Sequence, residues 1–260
     1  MPSIENVKLF LLDMDGTFYL GEKILPGSLE FIEKVRESGR DFLFLTNNSS
    51  HNAQYYAERL ARMGLVVDRE KILTSTLATA EKVNELYPGK RAFVLGNSFM
   101  REELSESGVR VDDTNPEIVI IGYDTTLDYA KMTAVCDFVR AGLPYIASHP
   151  DFNCPTETGF APDIGAIIAF IEASTGRVPD LVVGKPNRGI VEAVIRRTGL
   201  NASDMAMVGD RLYTDIETGL RFGMLSVLVL SGETTPEMAA ASETKPHMTL
   251  QGLADMIPML

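Results

Sequence analysis

Cysteine is nearly absent from this chain: Cys136 and Cys154 are the two in 260 residues. Two thiols are too few for a disulfide framework, so an apolar core has to carry the fold, and a reducing compartment, the cytoplasm, suits it. Histidine is almost as scarce. His51, His149 and His247 share no metal-ligand spacing, which argues against a zinc centre. Positive charge is in deficit, with 24 Lys and Arg against 36 Asp and Glu, a formal net charge of −12. No basic face easily outweighs that field, so no nucleic acid and no anionic membrane is expected as a partner. A small anionic ligand stays compatible where a few local cations offset the field. Long hydrophobic runs are missing too. The first apolar stretch is cut off by Asp13 and follows no basic segment, so neither a signal peptide nor a membrane span is expected. There is no internal repeat, low-complexity tract or long charge run.

What remains is ordinary for a globular protein: 45% hydrophobic and 23% charged residues. The length allows a large core plus a second, smaller domain. Short apolar runs alternate with helical patterns along the chain. Leu9-Phe10-Leu11-Leu12 and Phe42-Leu43-Phe44-Leu45 read as strands buried on both faces. Ile72 to Ser75 reads as a third. Between them lie a Gly- and Pro-punctuated flap (Tyr19 to Gly27), a helix capped by Ser28 and closed at Gly39, and a helix carrying Ala53, Tyr56, Ala57, Leu60 and Met63. Later come short strands at Leu181–Val183, Met205–Val208 and Leu225–Leu230. Strand and helix in alternation specify an α/β fold, a Rossmann-like parallel sheet core with helices on both faces.

The interval from Thr79 to Asp180 keeps the α/β rhythm but reads as an insertion. Strands are expected at Ala92–Leu95, Ile118–Ile121 and Tyr145–Ala147, and a helix at Asp128–Ala141 burying Met132, Val135, Cys136 and Val139. His149 to Asp163 is irregular and feeds a helix from Ile164 to Thr175. Loops of that length inside compact domains are functional or mobile. The expected organisation is a discontinuous core, 1–78 and 181–260, with an inserted α/β domain at 79–180.

Four apolar strands end in polar clusters: Asp13/Asp15, Thr46/Asn47, Lys185 and Asp210/Asp215. In one parallel sheet such ends share an edge, so distant residues converge there. Asp13, Asp15 and Asp210 supply hard oxygen ligands suited to Mg²⁺. Thr46 and Lys185 supply a hydroxyl and a cation, and main-chain N–H groups near Gly16 and Asn47 add donors for a phosphate. A carboxylate cannot approach a phosphoryl dianion unaided, and a metal with a lysine removes that obstacle. One Asp can then attack phosphorus while its neighbour two residues on handles the leaving group's proton.

With these motifs the chain resembles the haloacid dehalogenase-like (HAD) phosphatases: DMDGT at Asp13–Thr17, the strand-end Thr46, Lys185 in GKPN, and GDRLYTD containing Asp210 and Asp215. TNNSS and GDRLYTDI resemble the NagD-type subgroup, which includes 4-nitrophenyl phosphatases. The resemblance implies Asp13 as nucleophile forming an aspartyl-phosphate, and Asp15 as general acid and then base. It also implies Mg²⁺ on the Asp13 and Asp210 side chains and the Asp15 carbonyl, with Asp215 as a supporting carboxylate behind them. Gly16, Thr46, Asn47 and Lys185 hold the phosphoryl group. The insertion lies between Thr46 and Lys185, where the family's C2-type cap sits, covering the site and choosing the leaving group. Caps of this kind often pair, so the resemblance also implies a homodimer through the cap, with oligomeric state left open by the sequence.

The substrate implied is a small phosphorylated metabolite: a sugar phosphate, phosphoglycolate or a nucleotide. A phosphomutase shares the chemistry, but those compared carry their cap between Asp15 and Thr46. A silent phosphometabolite sensor is the third alternative, which intact Asp13, Asp15, Lys185 and Asp210 argue against. Asp151, Asn153 and Asp163 are candidates to face the substrate, or are loop and helix-capping residues. His149 is expected in a structural or solvent role for want of a partner, Cys154 as a small buried residue, and Arg211 and Tyr213 either brace the Asp210 loop or do nothing.

Overall fold

The computed structural model describes residues 2–156 and 159–260. The chain divides into two compact units: Met1–Thr46, Tyr56–Leu73 and Val194–Leu260 form the first, Asn47–Tyr55 and Thr74–Ala193 the second. The second is wider than the 79–180 interval.

A six-stranded sheet organises the first unit. Its order is Met248–Leu250, Leu225–Val229, Met205–Gly209, Leu9–Leu12, Asp41–Thr46, Ile72–Thr74. From Met248–Leu250 across to Asp41–Thr46, each neighbouring pair runs parallel. Leu9–Leu12 is central, and all four of its side chains are buried, as an unbroken apolar run between two covered faces requires. Phe10 packs edge-on to Phe31 of the Ser28–Glu37 helix at 5.4 Å, and Phe18 edge-on to Phe44 at 4.9 Å. Each such buried side chain is worth about 1.5–3 kcal/mol relative to exposure. From Leu9–Leu12 the chain builds outward through Asp41–Thr46 and Ile72–Thr74. It later returns to the other side of Leu9–Leu12 through Met205–Gly209 and builds the opposite way. The strand order therefore reverses between Leu9–Leu12 and Met205–Gly209, and open α/β sheets bind ligands at that crevice.

The second unit has its own five-stranded sheet, ordered Leu181–Val182, Tyr145–Ala147, Ile118–Ile121, Arg91–Leu95, Arg110–Val111, with parallel pairing throughout. Tyr129–Arg140 and Ile164–Thr175 cover it, packing Val135, Cys136, Val139, Ile164, Ile167 and Ile171 onto Phe93, Leu95, Val119, Ile121 and Tyr145.

Four expectations change in detail. The Leu181–Val182 strand pairs with Tyr145–Ala147 in the second sheet, so three, not four, of the polar strand ends belong to the first. Ser28 does not cap its helix: the chain turns in through Gly27, and Ser28 is buried inside the first turn. Met132 is only half-buried. His149–Asp163 is not wholly irregular, since Asn153–Thr156 pairs antiparallel with Gly159–Pro162. Local composition cannot reveal such a hairpin when Pro and Gly dominate it. Among the described residues, no helix is long and apolar enough to cross a membrane.

Candidate active site

In the first unit the site grows from two neighbouring strands. Leu12 pairs with Val208, so Asp13 and, just past Gly209, Asp210 leave neighbouring strand ends. Asp13 is anchored by its N–H, which donates to the Val208 carbonyl at 2.9 Å. A π-helical turn, Leu212–Ile216, then brings Asp215 back; such turns concentrate at functional sites. Carboxylate oxygens of Asp13, Asp210 and Asp215 lie within 4.8 Å of one another. Asp210 and Asp215 are buried and Asp13 half-buried.

The carboxylates are held, not loose. Asp210 Oδ1 accepts from Thr17 Oγ1 at 3.3 Å and Oδ2 from the Glu233 N–H at 2.7 Å. Asp215 Oδ2 accepts from the Arg211 N–H at 3.1 Å. Burial, and then the charges of Asp13 and Asp215, raise the Asp210 carboxyl well above its ordinary range. Three crowded carboxylates carrying only oxygen donors are the set a hard divalent cation fits, and such a cation would offset the repulsion that adds to burial in raising Asp210.

Asp15, two residues beyond Asp13, is exposed as a residue, but enough protein surrounds its carboxyl for desolvation to be the largest influence on it. Desolvation and then Asp13 raise it, while Arg59, Arg211 and a main-chain hydrogen bond from Gly21 pull the other way. Arg59 fixes the flap beside it, donating to the Gly21 carbonyl at 2.8 Å, pairing with Glu22 at 3.1 Å and lying 4.6 Å over the Tyr19 ring. The flap is a hairpin, Tyr19–Leu20 against Lys23–Ile24.

Gly16 corrects an expectation. Its N–H is not open to an anion but donates to the Tyr19 carbonyl at 2.7 Å. The site needs glycine there for space: its φ is +86°, and a Cβ would collide with the Asp210 carboxylate. Gly232 makes the same close approach from the other side, and Ser231 Oγ donates to the Gly16 carbonyl at 2.8 Å. Arg211 and Tyr213 do brace the loop, both reaching Glu233 Oε2, at 3.0 and 3.3 Å. Ser231, Gly232 and Glu233 escaped sequence reading although the Leu225–Val229 strand ends in the same kind of polar cluster that singled out the others. Thr46 is the buried last residue of its strand.

The second unit gathers Asn47, Asp151 and Lys185. The Asn47 side chain donates to both Asp151 oxygens at 3.2 Å and to the Lys185 carbonyl at 3.0 Å, and accepts from the Lys185 N–H at 2.8 Å. His149, expected to lack a partner, is fully buried between Asp151 and Asp163 at 3.7 and 3.6 Å. Asp163 caps the Ile164–Thr175 helix, so its capping reading holds. Asn153 is exposed on the hairpin, and Cys154 is half-buried rather than buried.

A haloacid dehalogenase-like hydrolase model matches residues 10–110, and an HAD-hydrolase-like model matches residues 182–256. The chain is 34% identical over 258 residues to an acid sugar phosphatase of Staphylococcus aureus (strain MRSA252), covering 99% of each. It belongs to the haloacid dehalogenase-like hydrolase family. Another relative is 5'-nucleotidase YutF of Bacillus subtilis (strain 168), 31% identical over 257 residues and covering 99% of this chain and 100% of that one. The crystal structure of a 4-nitrophenylphosphatase from Thermotoga maritima superposes with a TM-score of 0.96 at 45% identity, over 98% of this chain and 97% of that one.

Proposed function

We propose that this HAD-like hydrolase cleaves a small phosphate monoester with Asp13 as nucleophile. The observation that carries this is the convergence of Asp13, Asp210 and Asp215 within 4.8 Å at the sheet's reversal point, with Asp15 two residues on. Mg²⁺ would be held by the Asp13 and Asp210 side chains and the Asp15 carbonyl, with Asp215 supporting them. When bound it neutralises charge on the phosphoryl oxygens.

The Asp13 carboxylate forms a bond to phosphorus as the ester P–O bond breaks, and Asp15 delivers a proton to the departing oxygen. Its raised pKa keeps a share of Asp15 protonated for that task. Asp15 then takes a proton from water, which attacks phosphorus, frees Asp13 and releases inorganic phosphate. Thr46, the Asn47 main chain and Lys185 are assigned to the phosphoryl oxygens, on the chemistry of their groups. Gly16 serves by making room rather than by donating.

Catalysis is assigned to 1–78 and 181–260, and leaving-group selection to a C2-type cap at 79–180, with Asn153 and Asp163 as its candidate residues, Asp151 being committed to the Asn47 amide. The proposed substrate is a phosphorylated metabolite of the sugar-phosphate, phosphoglycolate or nucleotide type, supported by the acid sugar phosphatase and 5'-nucleotidase among the relatives. A cysteine content too low for a disulfide framework supports a cytoplasmic setting. Exposed Tyr129, Phe152 and Phe160 of the second unit support pairing of two chains through it, to be checked by sedimentation.

The test is phosphate release from 4-nitrophenyl phosphate and from a panel of metabolite phosphates with Mg²⁺, ranked by kcat/KM. Asp13→Asn is expected to abolish release while circular dichroism stays unchanged. No Mg²⁺-dependent turnover of any phosphomonoester by the wild type would instead make the protein a phosphometabolite sensor.

A further inference from the structure

The Asn47 side chain is spent within the protein. One planar amide occupies both main-chain groups of Lys185, its N–H at 2.8 Å and its carbonyl at 3.0 Å, as a neighbouring strand would. The second Nδ2 hydrogen is shared by the two Asp151 oxygens, each at 3.2 Å. An amide has two N–H hydrogens, and here both are used. Asn47, Asp151 and Lys185 are 5%, 5% and 2% exposed, so water has little access to stand in for any of these bonds. The backbone before Lys185 passes so close that a Cβ on Gly184 would sit 2.7 Å from Asn47 Oδ1 and 2.8 Å from His149 Cβ.

The main chain of Lys185 settles which way round the amide lies. The Lys185 N–H only donates and its carbonyl only accepts, so Oδ1 must face the first and Nδ2 the second, which leaves the other Nδ2 hydrogen for Asp151. The reversed amide would set oxygen against oxygen on two sides and donor against donor on a third. His149 in turn lies between Asp151 and Asp163, the two residues that flank the hairpin of Asn153–Thr156 and Gly159–Pro162. We infer that Asn47 and Asp151 are positioning residues for Lys185: Asp151 holds the amide in place, the amide fixes the Lys185 main chain, and the direction of the ammonium follows. Neither side chain needs to touch substrate. This rests on the proposed phosphoryl role of Lys185.

The test is a double-mutant cycle on 4-nitrophenyl phosphate hydrolysis with Mg²⁺, using inorganic phosphate as competitive inhibitor. Lys185→Ala is expected to lower kcat/KM by roughly 10²–10³-fold and Asn47→Ala by roughly 10–10²-fold with weakened phosphate inhibition. The double variant should fall within about twofold of Lys185→Ala alone, because the amide acts through the lysine. Multiplying losses would overturn the inference by giving Asn47 a task of its own. So would an Asn47→Ala protein whose kcat/KM per folded molecule is unchanged while its Tm drops. Full activity in Lys185→Ala would remove the phosphoryl role itself, an outcome visible in that single variant. If Asn47→Ala does not fold, Asp151→Ala, which removes the acceptor of the Nδ2 hydrogen, is paired with Lys185→Ala and judged by the same non-additivity.

Discussion

Replacing Asp210 by Asn should make the metal-free protein more stable and the metal-loaded one less so. Asp210 is 2% exposed and has carboxylates of Asp13 and Asp215 within 4.8 Å. At an effective dielectric of about 20, two unit charges at that separation repel by about 3 kcal/mol. Part of this is relieved because the Asp210 carboxyl is raised above its ordinary 3.8 and holds its proton to higher pH. The sign follows from proton uptake: the folded chain binds a proton that the unfolded chain has released, so stability falls as pH rises from about 4 through neutrality. Asn removes the charge and can keep both bonds. Its oxygen accepts from the Glu233 N–H, and its amide donates to a reoriented Thr17 hydroxyl. The expected gain without divalent cations at pH 7.5 is about 2–3 kcal/mol, or roughly 5–10 °C in Tm for a unit of this size. At pH 4.5 the difference should shrink toward zero. Saturating Mg²⁺ should raise wild-type Tm, since a ligand at a hundredfold its Kd contributes about 2.7 kcal/mol, and raise the variant's far less. Thermal unfolding at both pH values, with EDTA or Mg²⁺, reads all four corners. An apo variant no more stable than wild type at pH 7.5, or a Mg²⁺ shift equal to wild type's, would refute the carboxylate-crowding account.

Three further perturbations probe the surroundings. Gly232→Ala places a Cβ against the Asp210 carboxylate and should cost about 1–3 kcal/mol in denaturant unfolding while weakening Mg²⁺ affinity in a calorimetric titration. Glu103→Ala leaves the Ala53 N–H and the Thr74 hydroxyl, which Glu103 accepts at 2.7 and 2.6 Å, without that buried partner. A loss of about 2–4 kcal/mol is expected in the second unit, and a Tm within 1 °C of wild type, far below the expected shift, would contradict it. Arg59→Ala removes the cation over Tyr19 and the bond to the Gly21 carbonyl. Amide hydrogen exchange in the Tyr19–Ile24 hairpin should then speed by about tenfold, with the sheet strands unaffected.

Much of the site was legible in the chain because strand ends announce themselves. An unbroken apolar run such as Leu9–Leu12 can only be buried on both faces, and the polar residues after it must emerge at the sheet's edge. Asp13 and Asp210, which the structure brings together, were singled out in that way, as were Asp15 and Thr46, and the family resemblance draws on the same residues. Ser231 to Glu233 were equally legible and were passed over. The Asn153–Thr156 hairpin was not, because Pro and Gly carry no alternation to betray pairing.

The alternation of strand and helix, the polarity of the strand ends and the order of the motifs are properties of neighbouring residues, and the sequence by itself determined them. Tertiary structure alone decided partnership. That Leu181–Val182 joins the second sheet, that Gly16 yields space instead of an N–H, and that the Asn47 amide is committed to Lys185 and Asp151 all depend on groups far apart in the chain. A hydrogen-bonding group shows in its sequence what it is able to bind; only packing shows what has already bound it.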